Sequence, residues 1–264
     1  LDQSAQRILA LQLSGAVGSM VSFGEDGDAI QEKMAEQLGL SVPAVSWHAS
    51  RDRLAEFTGE LALIGGCLGR IAQEVYLLMG SETAELSEPW AAGKVGSSTM
   101  PHKVNPIRFE NAEANLEISC SLLDTLSATL VESRWQRDLT DSTTQRNIGS
   151  ALGYSLLALN NLMGGLNSIH PNDVAIQAEL DSNWEVLGEP IQTAMRACEL
   201  AGLPGMDKPY EKVKELMRGH EISKDDVERF IDQQAFDEAT AARLKALAPA
   251  TYTGVASKLV DFDR

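Results

Sequence analysis

The sequence predicts an all-α protein in which a bundle of long helices is followed by a small helical domain. Aromatic residues make up only 5% of the 264 residues, whereas Ala, Leu and Glu are abundant, and this balance favours helix over strand. Apolar residues recur at helical spacing through segments much longer than an ordinary globular helix. From residue 172 onward these segments shorten and are separated by proline and glycine. The hydrophobic content of 44% is sufficient for a buried core.

The first predicted domain, residues 1–170, contains helical segments on both sides of one long irregular segment. Gly39 marks the end of a helix and Pro106 suits the first turn of another. A long irregular segment inside a compact domain is usually functional or disordered. The helices are expected over residues 1–22, 30–38, 45–79, 106–131 and 142–168, with the irregular segment at about 80–105.

The second predicted domain, residues 171–264, is a set of short helices. They are expected at about 172–181, 184–201, 208–218, 223–233, 236–247 and 251–262. The helices of the first domain are too long to be covered by so small a partner, and they carry faces rich in Ala, Gly and Leu. We therefore expect an obligate homo-oligomer.

The charge and the cysteines exclude several classes of function. A net charge of −16 argues against binding to nucleic acid or to an anionic membrane surface, so an anionic small-molecule substrate must meet a local cationic site. Cys67, Cys120 and Cys198 are odd in number and far apart, which favours buried free thiols over disulfides or a metal site. The sequence has no long uninterrupted apolar stretch and no signal-peptide pattern, so we expect a soluble cytoplasmic protein. Leu1 begins inside a helical pattern without a Met, which suggests a processed chain or a fragment.

The irregular segment carries a dense set of reactive side chains over residues 96–106, Gly-Ser-Ser-Thr-Met-Pro-His-Lys-Val-Asn-Pro. Three hydroxyls, an imidazole, an ammonium and a carboxamide lie close together there, and Gly93 and Gly96 add backbone freedom. Such a loop is suited to closing over a polyanionic substrate. An exposed polar linker between two helices explains the composition equally well.

The order of these residues resembles the signature of the fumarase/aspartase superfamily, Gly-Ser-Ser-x-Met-x-x-Lys-x-Asn-Pro. The resemblance implies that Ser97 is the general base that removes a proton next to a carboxylate, and that Lys103 holds this carboxylate and stabilises the intermediate. It places Glu110 as the carboxylate that orients a catalytic histidine from another chain. No metal or organic cofactor is implied. Substrate binding is assigned to Ser98, Met100 and Asn105.

A second constellation lies between two predicted long helices and consists of Arg137, Ser142 and Arg146. Two guanidinium groups and a hydroxyl near a helix start can hold a phosphate. The alternative is that the arginines form surface salt bridges with Glu132, Asp138 or Asp141. The pattern resembles the phosphate-binding residues of adenylosuccinate lyases, and residues 96–264 are similar to the proteobacterial members of that branch.

Residues 1–95 instead resemble carboxymuconate cycloisomerases of the same superfamily. A change of resemblance near residues 90–97 indicates either an unusual natural lyase or a chimera. Within this part His48 has two interpretations: it is a further catalytic residue, or it only packs against the helix or caps its start. Arg51 and Arg53 either face the active site or pair along the helix with Asp52 and Glu56.

Members of the superfamily are usually longer, with an upstream helical domain and a Thr-His-x-Gln segment that this chain lacks. Their active sites are assembled from three subunits, so this chain is expected to bind ligand weakly and to turn over poorly or not at all. The resemblance implies a lyase that releases fumarate from adenylosuccinate and from the related carboxamide ribotide of purine synthesis. The alternatives are carboxymuconate lactonisation and an inactive oligomeric scaffold.

Overall fold

The computed structural model describes residues 1–44, 50–89, 99–100, 103–132, 134, 139–219 and 221–261. The prediction of an all-α fold is confirmed, because the described chain is mainly helical and its strands, β1 (Leu86–Ser87) and β2 (His170–Pro171), have two residues each. The chain divides into two compact units, Leu1–His170 and Pro171–Arg264.

Helices of very different length form the first unit. The three long ones pack side by side, with α4 between α3 and α6. A short 3-10 turn, Val21–Asp26, precedes the second helix. The helices are α1 (Asp2–Ile8), α2 (Gly27–Leu38), α3 (Asp52–Leu78), α4 (Ile107–Leu130), α5 (Thr140–Gln145) and α6 (Ile148–Leu166).

The long helices approach closely because glycines and alanines face their neighbours. A Cβ atom placed on Gly65 of α3 would lie 2.7 Å from the Cys120 Sγ on α4, and one on Gly165 of α6 would lie 2.6 Å from the Phe109 ring. Two buried clusters fill the bundle, and both combine small residues with Leu, Val or Phe. They consist of Ala55, Ala62, Leu123, Leu126, Leu130 and Ala151, and of Ala72, Val75, Phe109, Ala112 and Leu162.

The predicted helix over residues 1–22 is wrong beyond its first two turns. Helix α1 ends at Ile8, and the following backbone is extended. The Leu11 amide donates to the Ser41 carbonyl at 2.9 Å, and the Ser41 amide donates to the Leu9 carbonyl at 3.0 Å. These long-range backbone bonds replace helical ones, which an apolar spacing cannot reveal. The helix predicted to end at Gly39 does so, with Gly39 in the left-handed conformation (φ 65°).

The third and fifth predicted helices also differ from the structure. Helix α3 begins at Asp52, since Ser50 and Arg51 are not helical and the Ser50 carbonyl accepts instead from Gln12 Nε2 at 2.6 Å. Residues 45–49, which include His48, lie outside the described residues. The predicted helix over 142–168 is broken into α5 and α6 at Asn147, whose side chain donates to the Thr143 and Thr144 carbonyls. A side chain that donates to backbone carbonyls competes with the backbone amides that would donate to them in a continuous helix.

The second unit is built from the short helices that the proline and glycine spacing predicts. Side chains of Asn172, Ser223 and Asp237 accept hydrogen bonds at three helix starts. Two 3-10 turns, Trp184–Leu187 and Pro249–Thr251, accompany the α-helices. The helices are α7 (Asp173–Ser182), α8 (Gly188–Leu200), α9 (Pro209–Met217), α10 (Lys224–Asp232), α11 (Glu238–Lys245) and α12 (Ala256–Leu259).

The helix predicted over 251–262 is much shorter in the structure. The Thr251 hydroxyl bonds both the amide and the carbonyl of Ala248, which closes a tight turn, and Gly254 follows with φ 54°. Both features interrupt the helix, so only the four residues of α12 remain helical.

The cysteines are free, but their expected burial is only partly correct. Cys198 is buried and Cys120 is half-buried, whereas Cys67 is exposed on the outer side of α3. Among the described residues, α3 is also long and apolar enough to cross a membrane by length and composition, with a mean hydropathy of 1.4 and 22% of that window buried. Within the same residues, no group of three or more His, Cys, Asp or Glu side chains is placed to hold a metal ion.

Candidate active site

The structure places part of the predicted serine loop directly before α4. Ser97 and Ser98 lie outside the described residues. The Lys103 amide donates to the Met100 carbonyl at 3.0 Å, and the Ile107 amide donates to the Asn105 carbonyl at 2.9 Å. Both Met100, 43% exposed, and the Lys103 side chain face solvent. This end of the loop therefore presents a cationic group at the entrance to α4.

Glu110 lies in the first turn of α4, where its amide donates to the Pro106 carbonyl at 3.0 Å. Phe109 beside it is fully buried, which fixes the face of the helix that turns inward and leaves Glu110 exposed. A carboxylate is favourable at a helix N-terminus. Burial raises the pKa of Tyr76 on α3, and the carboxylates of Glu113 and Glu110 raise it further. The exposed Glu110 carboxylate therefore lies beside Tyr76 and Glu113 on one side of the start of α4.

Two of the three predicted clamp residues lie at adjacent turns of one short helix. Ser142 is half-buried on α5 and Arg146 is exposed directly after it, while Arg137 lies outside the described residues. A separation of four residues puts both side chains on one face. Neither side chain forms a hydrogen bond or ion pair with any residue that the structure describes, so both are available to a ligand.

Asp141, one of the carboxylates considered as a surface partner for these arginines, is buried and contacts Arg51. Asp141 is only 4% exposed, and its Oδ2 lies 3.6 Å from the Nε of Arg51 at the start of α3. Gln145 Nε2 donates to the same oxygen at 3.2 Å. Asp141 therefore forms a buried pair with Arg51, which ties α5 to α3. Among the described residues no ion pair joins Asp141 to Arg146, and Arg137 and Asp138 lie outside them.

A polar cleft of about 350 Å³ opens beside this buried pair. Its walls come from three parts of the chain that are distant in sequence: the segment after α1, the start of α3 and the end of α5. The predicted pairing of Arg51 with Asp52 or Glu56 is wrong, because Arg51 pairs with Asp141 and Glu56 pairs with Arg7. The lining residues are Ile8, Ala10, Gln12, Ser50, Arg51, Arg53, Leu54 and Gln145.

The predicted site residues thus form two groups within the first unit. The serine-loop group precedes and begins α4, and the clamp group lies on α5, which packs against α4. In the part of the chain that the structure describes, no hydrogen bond or ion pair joins Lys103 or Glu110 to Ser142 or Arg146. Gln145, which lines the cleft and donates to Asp141, was not among the residues predicted from the sequence. Its position directly before Arg146 could have indicated it.

Family models match almost the whole chain in two blocks. A lyase model matches residues 1–119, and a model described as adenylosuccinate lyase C-terminal matches residues 133–253. Adenylosuccinate lyase of Escherichia coli (strain K12) is 40% identical over 256 residues, which cover 95% of this chain and 54% of the relative. The chain belongs to the fumarase/aspartase superfamily. It spans about half the length of the curated relatives it matches.

Other superfamily members show how far the similarity extends. Adenylosuccinate lyase of Haemophilus influenzae is 48% identical over 170 residues, covering 64% of this chain and 36% of the relative. The 3-carboxy-cis,cis-muconate lactonizing enzyme from Pseudomonas putida is similar in structure, with a TM-score of 0.73 and 28% identity, over 97% of this chain and 57% of that one. Sequence similarity to adenylosuccinate lyases therefore coexists with structural similarity to a lactonizing enzyme.

Proposed function

We propose that the chain is part of a lyase that releases fumarate by β-elimination from adenylosuccinate and from the related carboxamide ribotide of purine nucleotide synthesis. The observation that carries this proposal is the 40% identity to an adenylosuccinate lyase over 95% of the chain. The uncommitted side chains of Ser142 and Arg146 on α5 support a substrate that bears a phosphate.

In the proposed reaction Ser97 removes the proton from the succinyl carbon next to a carboxylate. The electron pair first enters that carboxylate, as an aci-carboxylate, and then forms the carbon-carbon double bond of fumarate as the carbon-nitrogen bond breaks. The nitrogen leaves as the amine of the nucleotide after it gains a proton. Lys103 and Asn105 stabilise the charge on the carboxylate, as preorganised donors do in a water-excluded site.

Substrate recognition is assigned to both groups of residues. Arg137, Ser142 and Arg146 hold the phosphate, Ser98 and Met100 contact the substrate in the closed loop, and Glu110 orients a histidine from another subunit. The test is fumarate release from adenylosuccinate by the purified protein, measured by a coupled absorbance assay; the rate should be low, because the superfamily assembles its active sites from segments that this chain does not supply.

The decisive variant is Ser97→Ala, which should abolish fumarate release and leave the binding of AMP unchanged in titration calorimetry. Ser121→Ala is the matched control, because the Ser121 hydroxyl only donates to the Glu117 carbonyl on the exposed face of α4. Fumarate release that survives Ser97→Ala would refute the assignment of the base. If the unmodified protein binds AMP but releases no fumarate, an inactive oligomeric scaffold describes it better.

Lactonisation of a carboxymuconate is the second candidate, and the structural similarity to the lactonizing enzyme from Pseudomonas putida favours it. The substrate of that reaction is a conjugated diene without a phosphate. Loss of the ultraviolet absorbance of the diene would support this alternative. The rate of that loss should be the same in Arg146→Gln, because the substrate has no phosphate for Arg146 to bind.

We also propose a cytoplasmic homotetramer. The long helices expose large apolar side chains, among them Leu63 (71% exposed) on α3 and Leu156 (60%) and Met163 (55%) on α6. Exposed apolar surface on helices of 27 and 19 residues is typical of a bundle that other copies cover. Sedimentation should give a tetramer, and Leu63→Glu should dissociate it, whereas Lys258→Glu in the second unit should not. A monomeric unmodified protein would refute this assembly.

A further inference from the structure

We propose that the cleft between the start of α3 and the end of α5 binds an oxyanion, with Arg53 as the contacting group and Arg51 as a positioning residue for α5. The ligand chemistry is a phosphate or a carboxylate of the substrate. The inference rests on the proposed function for the identity of that ligand, but anion binding can be measured without turnover.

Arg53 lines this cleft and has no ion-pair partner among the described residues. Its side chain is half-buried, and it forms no hydrogen bond or ion pair with any described residue. It lies in the first turn of α3, where the helix dipole disfavours a positive charge. A partly desolvated guanidinium carries five donors that require acceptors, so its position favours an anionic ligand.

The carboxylates near Arg53 are committed to other groups. Asp141 is paired with Arg51, Glu56 is paired with Arg7, and the Asp52 carboxylate accepts from the Ser50 hydroxyl at 3.3 Å. Asp52 keeps its charge but is exposed and does not line the cleft, whereas Arg53 does, so the lining carries a positive charge within a chain whose net charge is −16. A cationic cleft of this kind attracts and orients small anions.

The cleft borders the helix that carries Ser142 of the predicted phosphate clamp. Gln145 lines it, and Arg146 follows directly in the sequence. An anion held by Arg53 therefore lies beside the helix that carries the clamp.

Arg51 acts through α5 rather than on the ligand. Its guanidinium reaches Asp141 Oδ2 at 3.6 Å through Nε and Gln12 Oε1 at 3.0 Å through Nη1. The Arg51 side chain is 20% exposed and that of Asp141 is 6% exposed, so this pair is largely removed from water. Loss of Arg51 would remove a cation from a buried carboxylate, which is unfavourable and should disturb the position of α5.

The test for Arg53 is titration calorimetry of the intact chain with inorganic phosphate, AMP and succinate. Arg53→Gln should weaken the binding of at least one of these anions tenfold or more, and Arg53→Lys should restore part of the affinity because it keeps the charge without the planar fork. Arg70→Gln is the matched control, since Arg70 lies on the same helix about 25 Å away at 1.5 Å per residue, and it should have no effect.

The ligands distinguish the two sources of the anion. A loss confined to phosphate and AMP identifies a phosphate site, and a loss confined to succinate identifies a carboxylate site. The proposal is overturned if the unmodified chain binds none of the three anions, or if Arg53→Gln binds all of them normally. Fumarate release with unchanged anion binding in Arg53→Gln would overturn this inference alone, whereas Arg53-dependent binding without fumarate release would overturn only the proposed function.

The positioning role of Arg51 has its own test. Arg51→Gln should weaken the binding of phosphate, and the double variant Arg51→Gln/Asp141→Asn should recover part of the affinity because it also removes the buried negative charge that Arg51 contacts. If Arg51→Gln lowers the melting temperature but leaves phosphate affinity unchanged, Arg51 is only a structural residue and this part of the proposal is wrong.

Discussion

The contact between Gly165 on α6 and Phe109 on α4 makes the packing of the bundle testable. A Cβ atom on Gly165 would lie 2.6, 2.9 and 3.0 Å from three carbon atoms of the Phe109 ring. Carbon atoms in favourable contact are about 3.5 to 4.0 Å apart, so the ring or the helix must move by roughly 1 Å. The ring is 0% exposed and packs among Ala72, Val75 and Leu162, so it has no free space to enter.

Two effects of opposite sign set the expected stability of Gly165→Ala. Overpacking a well-filled core costs about 1 to 3 kcal/mol, and a rigid enclosed ring places this site towards the upper end. Alanine in place of a helical glycine returns about 1 kcal/mol. We therefore expect a net destabilisation of about 1 to 2 kcal/mol.

The assay is equilibrium unfolding in urea at one fixed protein concentration, because assembly also contributes to stability. Gly165→Ala should lower the urea midpoint with an unchanged slope. Gly153→Ala is the control on the same helix, because nothing lies within 4 Å of its Cβ position, and it should be neutral or stabilising. In a Phe109→Leu background the penalty for Gly165→Ala should largely vanish. The packing argument fails if Gly165→Ala is as stable as Gly153→Ala.

Three further predictions concern hydrogen bonds and a buried thiol. Ser223→Ala removes the capping box of α10 and should cost about 1 kcal/mol in thermal unfolding. Hydrogen bonds from Ser223 also lower the pKa of Asp226 from its ordinary value, so the part of the stabilisation that depends on the Asp226 carboxylate should be lost as the pH falls through that lowered pKa. The hydrogen bond from the Tyr252 hydroxyl to Glu189 at 2.6 Å raises the pKa of Tyr252 above its ordinary value of 10.0. Tyr252→Phe should therefore destabilise the chain at neutral pH, and the difference in stability between the two proteins should disappear as the pH rises through the raised pKa. Burial raises the pKa of Cys120, so a thiol reagent at pH 8 should modify it more slowly than an exposed cysteine, and equal rates would contradict its burial.

Apolar periodicity predicted the helices well where local interactions determine their ends. Gly39 ends α2 in the left-handed conformation, as the sequence indicates. The failures occur where distant parts of the chain or side chains take the backbone hydrogen bonds. Ser41 draws the chain after Ile8 into an extended pairing, and Asn147 occupies carbonyls that a continuous helix would use. Periodicity carries no information about such partners.

The same limit applies to the candidate site. The order of residues in the serine loop identified the superfamily, because a local motif is readable from one sequence. The salt bridge between Arg51 and Asp141 joins residues far apart in the chain, and each had plausible local partners in Asp52, Glu56 and Arg146. Only the packing of α5 against its neighbours selects among these partners.

This salt bridge also bears on the two resemblances within the chain. Arg51 lies in the part that resembles carboxymuconate cycloisomerases, and Asp141 lies in the part that resembles adenylosuccinate lyases. The bundle core joins the same two parts, since Ala55 and Ala62 of α3 pack with Leu123 and Leu126 of α4. A buried charge pair and a shared core form only when both parts are compatible with one scaffold. The two parts therefore share one scaffold, and under the proposed function we expect the choice of substrate to depend on the groups that line the site rather than on the helices that carry them.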